Sequence, residues 1–237
     1  MSRPTPPAAR QLLLRWPHRA AMTRADFLVG AANARAIELV DSWPAWPAPA
    51  VLLAGPAGSG KTHIVEIWRE ASGAAVIDAA GLDDNAVAPL VAVGAVAVEN
   101  LHVGPIDEAA LFHLLNLAAE RKTPVLMTSR LSASALPVQL PDLASRLRAA
   151  RPVELSEPDD ELLRALLVKL FADRQLVVGG AIVDYIALRM ERSLEAANAL
   201  VDDLDREALA AGGAVTRKLA AAALARVFDW PPDDAED

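Results

Sequence analysis

Apolar positions along the chain fall into two regimes. Between residues 50 and 129, short apolar runs alternate with amphipathic stretches: Ala50–Ala54, a helical KTHIVEIWREAS ending near Gly73, AAVIDA, a helix or loop carrying Asp83 and Asp84, GAVAVEN, and PVLMTSR. A helix from about Asp107 to Glu120, with Leu111, Leu114, Leu115 and Ala118 on one face, precedes the last of these, and a short helix around PDLASRL follows it. Strands alternating with helices predict a parallel sheet covered on both faces. After RPVELSEPDD only helical periodicity is left, over roughly 159–174, 180–190, 194–211 and 216–228, with breaks at VVGG and AGG. Ahead of the first strand, DFLVGAANARAIELVDSW predicts a loop and an amphipathic helix that the prolines of PAWPAP stop. The pattern divides the chain into a flexible tail over 1–20, an α/β domain over 21–156, a helical domain over 157–230 and an acidic tail over 231–237. Within the tail, QLLLRW at 11–16 is an isolated apolar island.

Composition narrows the class. With 237 residues, 53% of them hydrophobic, the chain can bury a sizeable core. Cys is absent, which excludes a disulfide framework and any Cys-based metal site. His18, His63, His102 and His113 show no ligand-like spacing and are read as surface or loop residues. A net charge of −8 argues against a primary nucleic-acid binder, so contact with DNA is expected to be mainly indirect. Neither a membrane span nor a signal peptide is read, and a cytoplasmic location is expected.

The chemistry concentrates after the first strand. GPAGSGKT (Gly55, Pro56, Ala57, Gly58, Ser59, Gly60, Lys61, Thr62) matches the phosphate-binding loop and sits between a predicted strand and a predicted helix. Glycines let the backbone wrap phosphate oxygens with its N–H groups inward, Lys61 supplies a cation to the β- and γ-phosphates, and Thr62 supplies a hydroxyl for Mg²⁺. The bland alternative is a Gly-rich turn before a helix. AVAVEN ends a buried strand with Glu99, positioned as a Walker B carboxylate that would hold Mg²⁺ directly or through water. Asn100 beside it cannot take a proton, which implies weak intrinsic hydrolysis. Alternatively, Glu99 and Asn100 simply begin a turn.

The segments DFLVGAANARAIELVDSWPAWPAPAVLLAGPAGSGKTHI, DEAALFHLLNLA, LMTSR, LPDLASRL and LDREAL, spanning about 26–210, resemble the AAA+ ATPases, and within them the DnaA-related Hda family, which regulates inactivation of DnaA. The resemblance implies an αβα base with sheet order 5-1-4-3-2 and a helical lid. It implies that Leu28, Val29 and Gly30 line an adenine pocket, with His63 closing the loop motif, that Thr128 and Ser129 act as sensor 1, and that Arg192 acts as sensor 2 with Ser193 as N-cap. Arg146 would be an arginine finger presented to a neighbour's nucleotide, with Arg148 and Arg151 close enough to take that role instead. QLLLRW resembles the peptide by which Hda proteins attach to the sliding DNA clamp, the β subunit of DNA polymerase III: Gln11 at the groove rim and Leu12, Leu14 and Trp16 in apolar pockets. Arg15 and Trp16 depart from the usual residues, and a stray segment packing on the core is the alternative.

The implied activity is negative regulation of replication initiation. ADP or ATP, with or without Mg²⁺, would be held structurally, while DnaA-bound ATP is hydrolysed with help from Arg146 in trans; self-association is also implied. An autonomous P-loop ATPase or helicase-loader-like protein is the competing reading.

Overall fold

A computed structural model describes residues 22–211 and 214–228. The clamp-like segment, His18 and the acidic tail lie outside the described residues. Five strands, β1 (Ala50–Ala54), β2 (Ala75–Asp78), β3 (Val96–Glu99), β4 (Val125–Ser129) and β5 (Arg151–Glu154), form one parallel sheet in the order β2-β3-β4-β1-β5. This is the 5-1-4-3-2 order read from its other edge.

Strand alternation decides which helix covers which face. Val51 and Leu53 of β1, Ala97 of β3 and Leu126 of β4 bury against α1 (Ala34–Asp41) and α2 (Lys61–Ser72). Leu52, Val96, Val98, Val125 and Met127 point the other way, onto α3 (Asp84–Ala92), α4 (Glu108–Arg121) and α5 (Pro141–Ala149). Asp83 resolves the helix-or-loop ambiguity: its carboxylate accepts from the Ala86 N–H at 2.9 Å and N-caps α3. Of the five strands, β5 is the one the hydrophobic pattern did not isolate. It has four residues, only Val153 is buried, and Pro152 removes a donor, all traits of an edge strand.

Helices α6 (Asp160–Asp173), α7 (Gly180–Ala187), α8 (Leu194–Ala211) and α9 (Arg217–Phe228) share a separate apolar core built around Leu163, Leu167, Ile186, Leu200 and Leu204. Leu28 packs on that core from the N-terminal side. At the start of the described residues, Asp26 ion-pairs with Lys169 of α6 at 3.0 Å. Among the described residues no helix is long and apolar enough to cross a membrane.

Candidate functional site

The loop 55–60 leaves the C-terminal end of β1 and enters α2, so its amides gather at the positive end of that helix. Gly58 (φ 64°) and Gly60 (φ 94°) take left-handed backbone that a side chain would strain. At Gly58 space is closed as well: a Cβ there would lie 2.6 Å from Ser193 Cβ. Ser193 N-caps α8, its hydroxyl accepting from the Ala196 N–H at 3.0 Å, and the Leu194 N–H donates to the Gly58 carbonyl at 2.9 Å. The N-terminus of α8 therefore rests directly on the loop.

Lys61 is buried, and its three ammonium protons have three acceptors: the carbonyls of Gly55 (2.8 Å) and Pro56 (2.6 Å) and the Ser59 hydroxyl (3.2 Å). Burial lowers its pKa, and the nearby Arg130 charge adds to this while Glu99 opposes it. The Thr62 hydroxyl donates to Glu99 at 2.8 Å, joining the two candidate Mg²⁺ ligands across the cleft. Burial pushes the Glu99 carboxyl above the usual carboxylate range, against the Thr62 hydrogen bond. Among the described residues no group of three His, Asp or Glu could hold a metal ion by itself. Two oxygen ligands beside a phosphate loop suit a Mg²⁺ that arrives with a nucleotide.

Asn100 sits just past β3 with φ 64°, a conformation that Asn tolerates and most residues do not. Its amide nitrogen donates to Asp78 at 2.7 Å and its backbone N–H to the Thr128 hydroxyl at 3.0 Å. A carboxylate only accepts, so Nδ2 faces Asp78 and the residue's remaining polar atom is a carbonyl oxygen. Ser129 is fully buried; its hydroxyl accepts from the Leu131 N–H at 2.9 Å and its carbonyl from the Gly55 N–H at 3.1 Å.

A cleft of about 760 Å³ opens between the sheet ends and the helical bundle, with Lys61, Thr62, His63 and Asn100 on the sheet side and Lys169 and Asn198 on the bundle side; Glu99 and the buried Ser129 do not line it. The volume suits a nucleotide. Residues Leu28, Val29 and Gly30 do not line it: Leu28 packs on the bundle core, Val29 is exposed, and Gly30 is covered by Leu162. Phe27 is the neighbouring residue that reaches the loop, beside Gly60 and edge-on to His63 at 5.0 Å. Arg192 is also outside the cleft, paired with Asp160 at 2.6 Å with both side chains about half exposed.

Of the described histidines, His63 departs from the surface-or-loop reading, whereas His102 lies in the turn after β3 and His113 is exposed on a helix face. His63 lies on α2 in the cleft wall, its Nε2–H donating to the Thr23 carbonyl at 3.0 Å, and burial lowers its pKa. His113 lies on α4, paired with Asp84 at 2.7 Å. His102 lines the cleft with Arg130, and sequence reasoning missed both. Their only signal was adjacency, His102 two residues beyond Asn100 and Arg130 directly after Ser129.

Arg146 lies at the opposite pole. It is exposed on α5, at the rim of a cavity of about 100 Å³ formed with Ala50 and Val125, the first residues of β1 and β4. Neither Arg146 nor its exposed neighbour Arg148 makes an ion pair among the described residues, and Arg151 opens onto a separate groove beside β5.

No family model matches the chain, and no curated protein matches it. Solved structures do. Domain III of the replication initiation protein DnaA of Thermotoga maritima superposes with a TM-score of 0.73 at 17% identity, covering 88% of this chain and 98% of that one. A replication initiator DnaA bound to AMPPCP and single-stranded DNA gives 0.64 at 18% identity, over 76% of this chain and 63% of that longer one. The RuvB Holliday junction branch migration motor of Thermotoga maritima gives 0.68 at 14% identity, over 92% and 76%. At these identities the likeness establishes the fold, which is that of the AAA+ ATPases.

Proposed function

We propose that this chain is a nucleotide-binding regulator of replication initiation that stimulates hydrolysis of ATP held by DnaA, contributing Arg146 to the partner's site. The observation that carries the reading is the placement of Arg146. It is exposed and makes no ion pair among the described residues, and β1, about 16 Å long, separates it from the chain's own phosphate loop. That distance exceeds the reach of an arginine side chain, so its guanidinium is available to a second molecule. The DnaA-like fold supports the choice of partner.

The chain's own cleft would hold adenine nucleotide, ADP or ATP. The loop amides and Lys61 would bind the phosphates, and Thr62 and Glu99 would take an accompanying Mg²⁺, whose charge neutralises phosphate oxygens. Phosphate would have to draw Lys61 off the Gly55 and Pro56 carbonyls. Asn100 presents no base to a water, which suits a resident nucleotide that fixes the bundle's position. Residues 11–16, with Gln11, Leu12, Leu14 and Trp16 as anchors, would dock on the sliding clamp, bringing the chain to DNA without direct contact. The autonomous-ATPase reading has one observation in its favour, the Asp78 carboxylate near Glu99, yet that carboxylate already accepts from Asn100 at 2.7 Å and from the Ala80 N–H at 3.0 Å.

The test is ATP hydrolysis by DnaA in the presence of clamp loaded on DNA. Arg146→Ala is expected to lose most of an arginine-finger effect, on the order of 10³-fold in rate, while retaining nucleotide and clamp binding. Full stimulation by this variant would refute the reading; transfer of the loss to Arg148→Ala would move the role by two residues.

A further inference from the structure

His102 carries a polar atom that no described residue engages. Its Nδ1 accepts the Arg130 backbone N–H at 3.1 Å, so in the neutral ring the proton sits on Nε2. That Nε2 is buried and has no hydrogen-bond partner among the described residues. Burial, together with the positive charges of Arg130 and Lys61, lowers the His102 pKa, with Asp78 opposing. The lowered pKa favours the neutral ring, and the hydrogen bond accepted by Nδ1 is what specifies its tautomer.

A buried N–H donor without an acceptor is costly, and native structures leave few. Here it belongs to a residue that lines the cleft, in a corner where both neighbouring cations, Lys61 and Arg130, repel further positive charge. Arg130 makes no ion pair among the described residues, so the corner offers a neutral donor and an uncommitted guanidinium. That combination calls for an anion with several acceptor oxygens.

We propose that His102 Nε2–H, backed by Arg130, binds the terminal phosphoryl group of a nucleoside triphosphate and so lets this cleft distinguish triphosphate from diphosphate. The inference rests on the nucleotide-binding reading of the cleft. A diphosphate would be held by the loop and Lys61 and leave His102 unpaired; a third phosphate would satisfy it.

Two conservative replacements separate a donor role from an anchoring role. His102→Gln places a donor NH₂ where Nε2 stands, whereas His102→Asn places an acceptor where Nδ1 stands and removes the distal donor. Calorimetric titration of the full chain with ADP and with the β,γ-methylene analogue of ATP gives the ratio of the two Kd values. The ratio is expected to fall at least tenfold toward the diphosphate in His102→Asn and to be largely kept in His102→Gln, with ADP affinity unchanged in both. An unchanged ratio in His102→Asn, or equal loss in both variants, overturns the proposal. If the unsubstituted chain binds neither nucleotide, the reading of the cleft itself fails instead.

Discussion

Gly58→Ala tests whether the helical bundle is docked on the phosphate loop. The new methyl would lie 2.6 Å from Ser193 Cβ and 2.9 Å from Ser193 Oγ, on backbone with φ 64°. Left-handed backbone costs an Ala roughly 1 kcal/mol, and forcing a carbon into a closed contact costs about 1–3 kcal/mol more. Moving α8 away to relieve the contact sacrifices the Leu194 N–H to Gly58 carbonyl bond, about 1 kcal/mol. The backbone term applies on either route, so the loss is about 2–4 kcal/mol. Urea unfolding followed by circular dichroism measures it, and hydrogen exchange at the Leu194 amide reports whether α8 has lifted. Ser193→Gly removes the opposing atoms and costs its N-cap only a few tenths of a kcal/mol. The double variant should therefore recover about 1 kcal/mol or more relative to Gly58→Ala alone. A single variant within about 0.5 kcal/mol of the parent, or no recovery in the double variant, would refute docking of α8 on the loop.

Two further outcomes follow from the site. Asn100→Glu should destabilise the chain by about 1–3 kcal/mol without creating an efficient ATPase, because it puts a non-Gly, non-Asn residue at φ 64° and a second carboxylate against Asp78; adding Asp78→Asn should restore part of the loss, and a fully stable single variant in thermal melts would count against this. Thermal stability should also drop as pH falls from about 7.5 to about 5.5: His63 and His102 both have lowered pKa values, so the unfolded chain takes up protons there that the folded chain does not. A His63→Gln/His102→Gln double variant should show a flatter profile over that window, and an unchanged slope would show that other groups set it.

The parts of this architecture that the sequence displays are those written in local pattern. Strands β1 to β4 are short apolar runs, and the loop motif is contiguous, so both can be read without knowing what packs on them. Strand β5 escapes because a half-exposed edge needs only Val153 inside and tolerates Pro152 and a charge at each end. The fold likeness agrees with the resemblance at the level of the AAA+ architecture. The site was harder. Asn100 looked like the loss of a carboxylate; its left-handed backbone and its bond to Asp78 of the neighbouring strand supply a structural reason for an amide there. Nothing in the local sequence could place His102 against Arg130, since the bond joins loops 28 residues apart whose approach depends on β3 and β4 lying side by side. For the same reason Arg192 alone did not reveal that Asp160, on another helix, would hold it.

The seat of α8 on the phosphate loop has a mechanical consequence. This helix has 18 residues, a rod about 27 Å long, and Ser193 stands at one tip. With the far end as fulcrum, a displacement of about 2 Å at that tip tilts the rod by about 4°, and α9, packed along it through the shared core, travels with it. Chemistry at three glycines is thereby geared to the outer surface of the molecule, where a change too small to matter inside the loop becomes a reorientation that another protein can feel.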